Sequence, residues 1–273
     1  MRLLVLPATI VTAGMLLCPL FLMFRISLNR FDPIKLMEAA VTPENYINVL
    51  TDRFYQEVMA VTVGVALIST LLTLMFAFPV AYWLARLESR WKGVLVILVI
   101  LPLLVGNVIR LAGWIAILGS EGALNYMLQR LGLISSRVQF LYTFEAVIVG
   151  SVSILIPYMI IVVSSVIENI PREVEEAAMN LGAHWSTTFR RVIFPMAWPG
   201  VVSGCVLVFI LTMNAYATPV LLGGPKFTMM APAIYDEYMK ANNWPLGAAV
   251  AFILLLVTGV LVGMATLVPR RTA

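Results

Sequence analysis

The sequence predicts an all-α membrane protein built on six transmembrane helices, and three observations predict it. Of the 273 residues, 61% are hydrophobic and 12% charged, and the mean hydropathy is +0.96, a balance foreign to ordinary soluble domains. The apolar residues gather into charge-poor runs of about 20 residues, the length that crosses a hydrocarbon core. One polar stretch, residues 168–194, interrupts them and holds Glu168, Arg172, Glu173, Glu175, Glu176, Arg190 and Arg191. The chain, 1–273, therefore reads as a single transmembrane domain with one polar loop.

The runs are 3–24, 58–85, 93–118, 143–167, 195–222 and 246–268. The first is too long for a signal-peptide core and ends in LFLMF without a small-residue cleavage site, so it reads as a retained span. The third contains Arg110 and the fourth opens on Glu145; the rest carry no charge. Between the spans, Glu44 to Tyr55 and Ala231 to Lys240 read as short helices at the membrane surface, and Gly122 to Leu133, with its apolar stripe, as an interfacial or re-entrant helix. Pro79, Pro102, Pro157, Pro199 and Pro219 punctuate the spans, and proline in a span is tolerated where helices pack or line water. Pro195, Pro199, Gly200 and Gly204 make the start of the fifth span a candidate hinge.

Six spans put both termini on one side. With the N-terminus inside, the inner segments carry Arg2, Arg86, Arg90, Lys92, Arg172, Arg190, Arg191, Arg270 and Arg271, while the two shorter outer loops carry only Arg130, Arg137, Lys226 and Lys240. The long first loop, with Arg25, Arg30, Lys35 and Arg53, blurs the contrast, but the bias puts the polar loop in the cytoplasm. A net charge of +4, scattered at span ends, does not make a nucleic-acid surface. Cys18 and Cys205 fall in separate apolar runs and read as small core residues. Neither G-x-x-x-x-G-K-[ST] nor G-x-G-x-x-G occurs, and the single histidine, His184, has no metal-binding or catalytic company, so no enzyme activity or cofactor is expected of this chain.

Within the polar loop, Pro171 suits a first helical turn. Glu173, Glu175 and Glu176 follow it near the positive end of the helix dipole. Gly182 is a helix stop, and Ser186 or Thr187 could cap a second helix leading to Arg190 and Arg191. Polar groups inside the spans form a second set of candidates. Counted from Gly93 along a straight helix, Arg110 lies roughly 25 Å into its span, within reach of Glu145 near the outer face. Such a charge faces the bundle or a water cavity; it is either a structural ion pair or a snorkelling arginine, or an outer gate or substrate contact. Asn214 and Tyr216, before Pro219, either touch a passing solute or bond across helices. Trp114 and Tyr158 are weaker candidates, since aromatics also anchor spans.

The polar loop resembles the EAA motif of ABC importer permeases: Glu-Ala-Ala, Gly after three further residues, and a closing aliphatic pair and proline. Here these are Glu176, Ala177, Ala178, Gly182, Val192, Phe194 and Pro195, with Phe194 replacing the usual leucine. PLLVGNVIRLAGWIAILGSEGALNYMLQRLGLI (residues 102–134) and YATPVLLGGP (residues 216–225) are similar to permeases of the polyamine, opine and phosphonate branch. The resemblance implies a type I importer permease of a bacterial inner membrane, with both termini cytoplasmic. It implies that Glu175, Glu176, Ala177, Ala178, Gly182 and His184 form a coupling helix docking on an ATPase. It further implies two ATPase subunits holding ATP and Mg, a second similar permease in a heterodimer, a periplasmic binding protein, and surrounding membrane lipid. The solute implied is a small charged molecule (polyamine, opine or aminophosphonate) moved by alternating access. The residues temper this, because a polycation calls for carboxylates or aromatic faces on its path, whereas Arg110 suits an opine or aminophosphonate as well. An ion-coupled secondary transporter, the rival reading, would need acids near the midplane, and an intramembrane enzyme would need a nucleophile–base pair or metal ligands in the spans; neither set is visible.

Overall fold

A computed structural model of the chain describes residues 2–225 and 227–267, with side chains from Thr9 onward. Lys226, Arg270, Arg271 and Val268, which entered the charge count or the span ends above, lie outside the described residues, as do the side chains of residues 2–8. The described chain is built of helices: α1 (Arg2–Ser27), α2 (Glu44–Thr51), α3 (Arg53–Arg86), α4 (Lys92–Leu104), α5 (Asn107–Leu118), α6 (Ala123–Arg130) and α7 (Phe144–Glu168). Then follow α8 (Arg172–Asn180), α9 (Trp185–Thr188), a π-helical turn (Phe189–Ile193), α10 (Phe194–Met213), a second π turn (Pro219–Gly223), α11 (Met230–Met239) and α12 (Trp244–Leu267).

Five helical stretches are long and apolar enough to cross a membrane, and a bent pair of helices, a broken span or a re-entrant loop, is the sixth candidate. That pair corrects the third span. Instead of one helix over 93–118, α4 stops at Leu104, Val105 is extended, and Lys92–Leu104 meets Asn107–Arg130 at 90°. At the break Val105 (φ −85°, ψ 125°) and Gly106 (φ −54°, ψ 140°) both take extended backbone.

The fifth span also shifts, from 195–222 to a continuous helix over Trp185–Met213. It ends at Asn214, well before Pro219. Pro195 has no N–H for the carbonyl of Arg191, and its ring crowds that group. The π turn over Phe189–Ile193 lies where that clash falls, the usual form such an adjustment takes within a helix. The fourth run, 143–167, falls on α7 (Phe144–Glu168). Thr143 caps α7, its hydroxyl accepting from the Ala146 N–H at 3.2 Å.

The residues divide into two compact units, 1–61 with 229–259 and 62–228 with the segment from 260 onward. In the first, the buried Asn45 of α2 donates to the carbonyls of Ser27 and Asn29, each at 2.8 Å. Tyr55 donates to Glu237 of α11 at 2.7 Å, and Phe24 meets Phe252 edge to face. In the second, α7 is the central helix, and α10 crosses it at Gly200 and Gly204. A methyl group at Gly200 would lie 2.6 Å from Cβ of Val166, whereas one at Gly204 would meet the movable Met159 sulfur at 2.5 Å. Gly200→Ala is therefore expected to cost about 1–3 kcal/mol by overpacking, and Gly204→Ala less. Thermal unfolding of the two purified variants checks the order.

Candidate functional site

The polar loop is fastened to the C-terminal end of α3. Glu175, in the first turn of α8, turns inward and is buried. One of its oxygens pairs with the Arg86 guanidinium and the other accepts from the Tyr82 hydroxyl at 2.9 Å. Arg86 also donates to the Ile170 carbonyl at 2.9 Å, and Arg172 returns a bond to the Arg86 carbonyl at 2.6 Å. Arg172 further pairs with Glu88 at 2.5 Å, and Lys92 with Glu168 at 3.0 Å. Side-chain exposures of 13% and 11% for Arg86 and Glu175 put their pair in a mostly desolvated site, where a lone charge is costly.

Glu175 thus differs from the rest of the expected coupling set. Its carboxylate is engaged within the chain and unavailable to a partner. Glu176, Ala177, Gly182 and His184 are exposed and Ala178 is half-buried. Beside them stand two side chains the sequence reading passed over: Leu181, 89% exposed, and Met179, 46% exposed.

The turn after α8 is a Schellman motif. Gly182 N–H bonds the Met179 carbonyl at 2.9 Å and Ala183 N–H the Ala178 carbonyl at 3.1 Å, with Gly182 at φ +85°. That conformation strains any residue with a Cβ. Gly182→Ala is expected to destabilise the turn by about 1 kcal/mol or more, and Gly182→Asn by less. Hydrogen exchange at α8 amides measures it.

The helix that follows is capped differently from expectation. The N-cap of α9 is His184, whose ring nitrogen accepts from the Ser186 N–H at 3.4 Å, while Ser186 and Thr187 lie inside the helix. Trp185 stacks on Phe189 with ring centroids 5.5 Å apart. Phe189 in turn meets Phe78 of α3 edge to face. Both loop helices are therefore anchored on α3, one through ions and one through aromatic rings.

The intramembrane candidates do not form one site. Arg110 and Glu145 do not pair. The Arg110 guanidinium donates to Asn107 Oδ1 at 2.6 Å and reaches the Ile154 carbonyl at 3.5 Å, about 13 Å along α7 from Glu145 by helical rise. The expected pairing assumed a straight third span, and the break at Val105 removes that geometry. Glu145 is exposed. Arg110 and Trp114 do come together, lining a cleft of about 530 Å³ with Pro102, Ser153 and Pro157. There the Trp114 ring N–H donates to Ser153 Oγ at 2.8 Å. Tyr158 is half-buried on α7 and does not line this cleft. Asn214 ends α10, its amide donating back to the Ile210 carbonyl at 2.9 Å, and Tyr216 is exposed just beyond.

α8 thus joins a buried anchor on one face to exposed residues on the other. Residues 74–273 match the family of binding-protein-dependent transport system inner membrane components. The chain belongs to this family. It is the membrane permease subunit of a binding-protein-dependent ABC importer of type I. Among its relatives is the spermidine/putrescine transport system permease protein PotB of Haemophilus influenzae, 33% identical over 246 residues, covering 90% of this chain and 86% of that protein. The Escherichia coli PotB is 34% identical over 230 residues, covering 84% of this chain and 83% of its own length. The fold matches a chain from the crystal structure of a bacterial ABC transporter that imports the acidic polysaccharide alginate. The TM-score is 0.75 at 19% identity, over 100% of this chain and 95% of that one.

The matched region begins inside α3 and includes Arg86, the clamp on the loop and all of α10. Sequence reasoning missed Tyr82, Arg86 and Phe78 as parts of the site. Arg86 entered it only as a topological charge. Its place at the last turn of a span, in a chain with an acidic helix on the same side, was the available signal.

Proposed function

We propose that this chain forms half of the translocation pathway of an ATP-driven importer for a polyamine-class cation, working by alternating access with a second, similar permease. ATP and Mg belong to two separate ATPase subunits, and a periplasmic binding protein delivers the solute to the outer face of the bacterial inner membrane, with both termini of this chain in the cytoplasm. The observation that carries the coupling is the two-faced α8. Its inner face is fixed to α3 by Glu175 and Arg172, while Glu176, Ala177 and Leu181 are displayed outward for an ATPase groove. Closure of the ATPase dimer would then move α8, α9 and the inner ends of α3 and α10 as one piece.

Similarity to the spermidine/putrescine permeases supports the solute class. The fold itself does not, since the same architecture serves an importer of an acidic polysaccharide, and function resides in sites rather than folds. A second reading rests on Arg110, whose guanidinium lines the 530 Å³ cleft and would favour the anionic end of an opine or aminophosphonate. Uptake into proteoliposomes holding the complete importer separates the two. Labelled putrescine or spermidine accumulating only with internal ATP supports the proposal; accumulation of an opine with neither amine transported would establish the second reading. Uptake that persists without ATP would return the secondary-transporter reading.

A further inference from the structure

The face of α10 opposite the one that packs on α7 carries an apolar groove. Trp198, Val202, Cys205 and Phe209 recur along it at helical spacing, and with Leu74 of α3 and Ala265 of α12 they wall a space of about 380 Å³. The one hydroxyl in the lining, Thr70, already donates to the Ala66 carbonyl at 2.7 Å, so an alkyl occupant strands no polar group. From Trp198 to Phe209 the groove runs about 16 Å by helical rise.

Followed back from Trp198 toward the loop, the same helix face reaches Arg190 and Arg191. A face returns after about seven residues in an α-helix, and the π turn adds one, so both positions fall near it. Both arginines are exposed, and no described carboxylate lies within ion-pair distance of either; Glu175 and Glu168 are committed to Arg86 and Lys92. Trp198, between the arginines and the groove, has the amphipathic ring favoured at headgroup depth.

We infer that α3, α10 and α12 form a binding site for one anionic phospholipid, with its phosphate at Arg190 and Arg191 and an acyl chain in the groove past Cys205. Basic groups at the mouth of an interhelical groove are the arrangement by which anionic headgroups are held. The site sits on the helix that continues directly from the coupling loop, so the lipid would bear on the span that moves.

Cys205 makes the test direct. In a Cys18→Ser background, the complete importer is stripped of lipid in detergent and Cys205 is labelled with a thiol reagent in the presence of phosphatidylglycerol or phosphatidylcholine. Phosphatidylglycerol is expected to slow labelling at least tenfold and phosphatidylcholine to have little effect. The Arg190→Gln/Arg191→Gln variant is expected to lose that difference, and the Arg190→Lys/Arg191→Lys variant to keep it. Equal protection by both lipids, or protection by phosphatidylglycerol that survives the Gln pair, would overturn the site. So would a Cys205 already shielded in the stripped importer, which would mean that a partner subunit covers the groove.

Discussion

Replacing Arg86 with Ala is expected to destabilise the loop-bearing unit by about 3–5 kcal/mol, the cost of leaving one member of a buried ion pair without the other. The guanidinium does three things at once: it neutralises Glu175, satisfies the Ile170 carbonyl before α8, and fixes the backbone that Arg172 holds in turn. Its loss leaves the Glu175 carboxylate with only the Tyr82 hydroxyl in a mostly desolvated site. Glu175→Gln is expected to be milder, since the amide oxygen still accepts from Arg86 while its NH2 turns donor to the Tyr82 hydroxyl. Tyr82→Phe, removing one hydrogen bond, should cost roughly 1 kcal/mol. Thermal unfolding combined with amide exchange over 172–180 distinguishes the cases. Exchange in α8 should rise sharply in the Arg86 variant while α7 amides stay protected. A loss below about 1 kcal/mol would mean that the pair behaves as a solvated surface bridge.

Glu176→Lys is expected to do the reverse: leave stability within about 0.5 kcal/mol, as exposed substitutions do, and abolish coupled transport. Glu176 adjoins Glu175 in sequence but is exposed and makes no ion pair within the chain among the described residues. Reversing a charge at a docking face replaces an attraction with a repulsion, which costs several kcal/mol where the groups are desolvated. Stimulated ATPase activity and solute uptake should therefore both fall at least tenfold, with less ATPase retained in pull-downs of the tagged chain. Wild-type stimulation in this variant would remove Glu176 from the coupling contact. Leu181→Asp probes the same face without touching the clamp and should weaken ATPase retention similarly. The contrast between adjacent glutamates is the informative part, because a merely unfolded loop would lose both functions in both variants.

The sequence by itself determined what depends on neighbours along the chain. Hydrocarbon-length apolar runs located the candidate spans, because the bilayer demands a long, charge-poor stretch wherever a helix crosses. Thr143 marked the start of α7, and Gly182 marked the turn after α8, since only glycine takes a positive φ there without strain. The Glu176-to-Pro195 spacing located the loop. Tertiary structure alone decided what depends on residues far apart. Glu175 and Glu176 are equivalent as local helix formers, and only Arg86, 89 residues away, turns one inward. Arg110 lost its expected partner because a break at Val105 redirects α5 by an angle that the local sequence does not specify. The fifth span begins at Trp185 rather than Pro195 because a π turn and rings packed on Phe78 carry the helix through a segment too polar to read as a span. Local rules set where helices can form; the burial of charges and rings against distant helices set which face of each one looks inward.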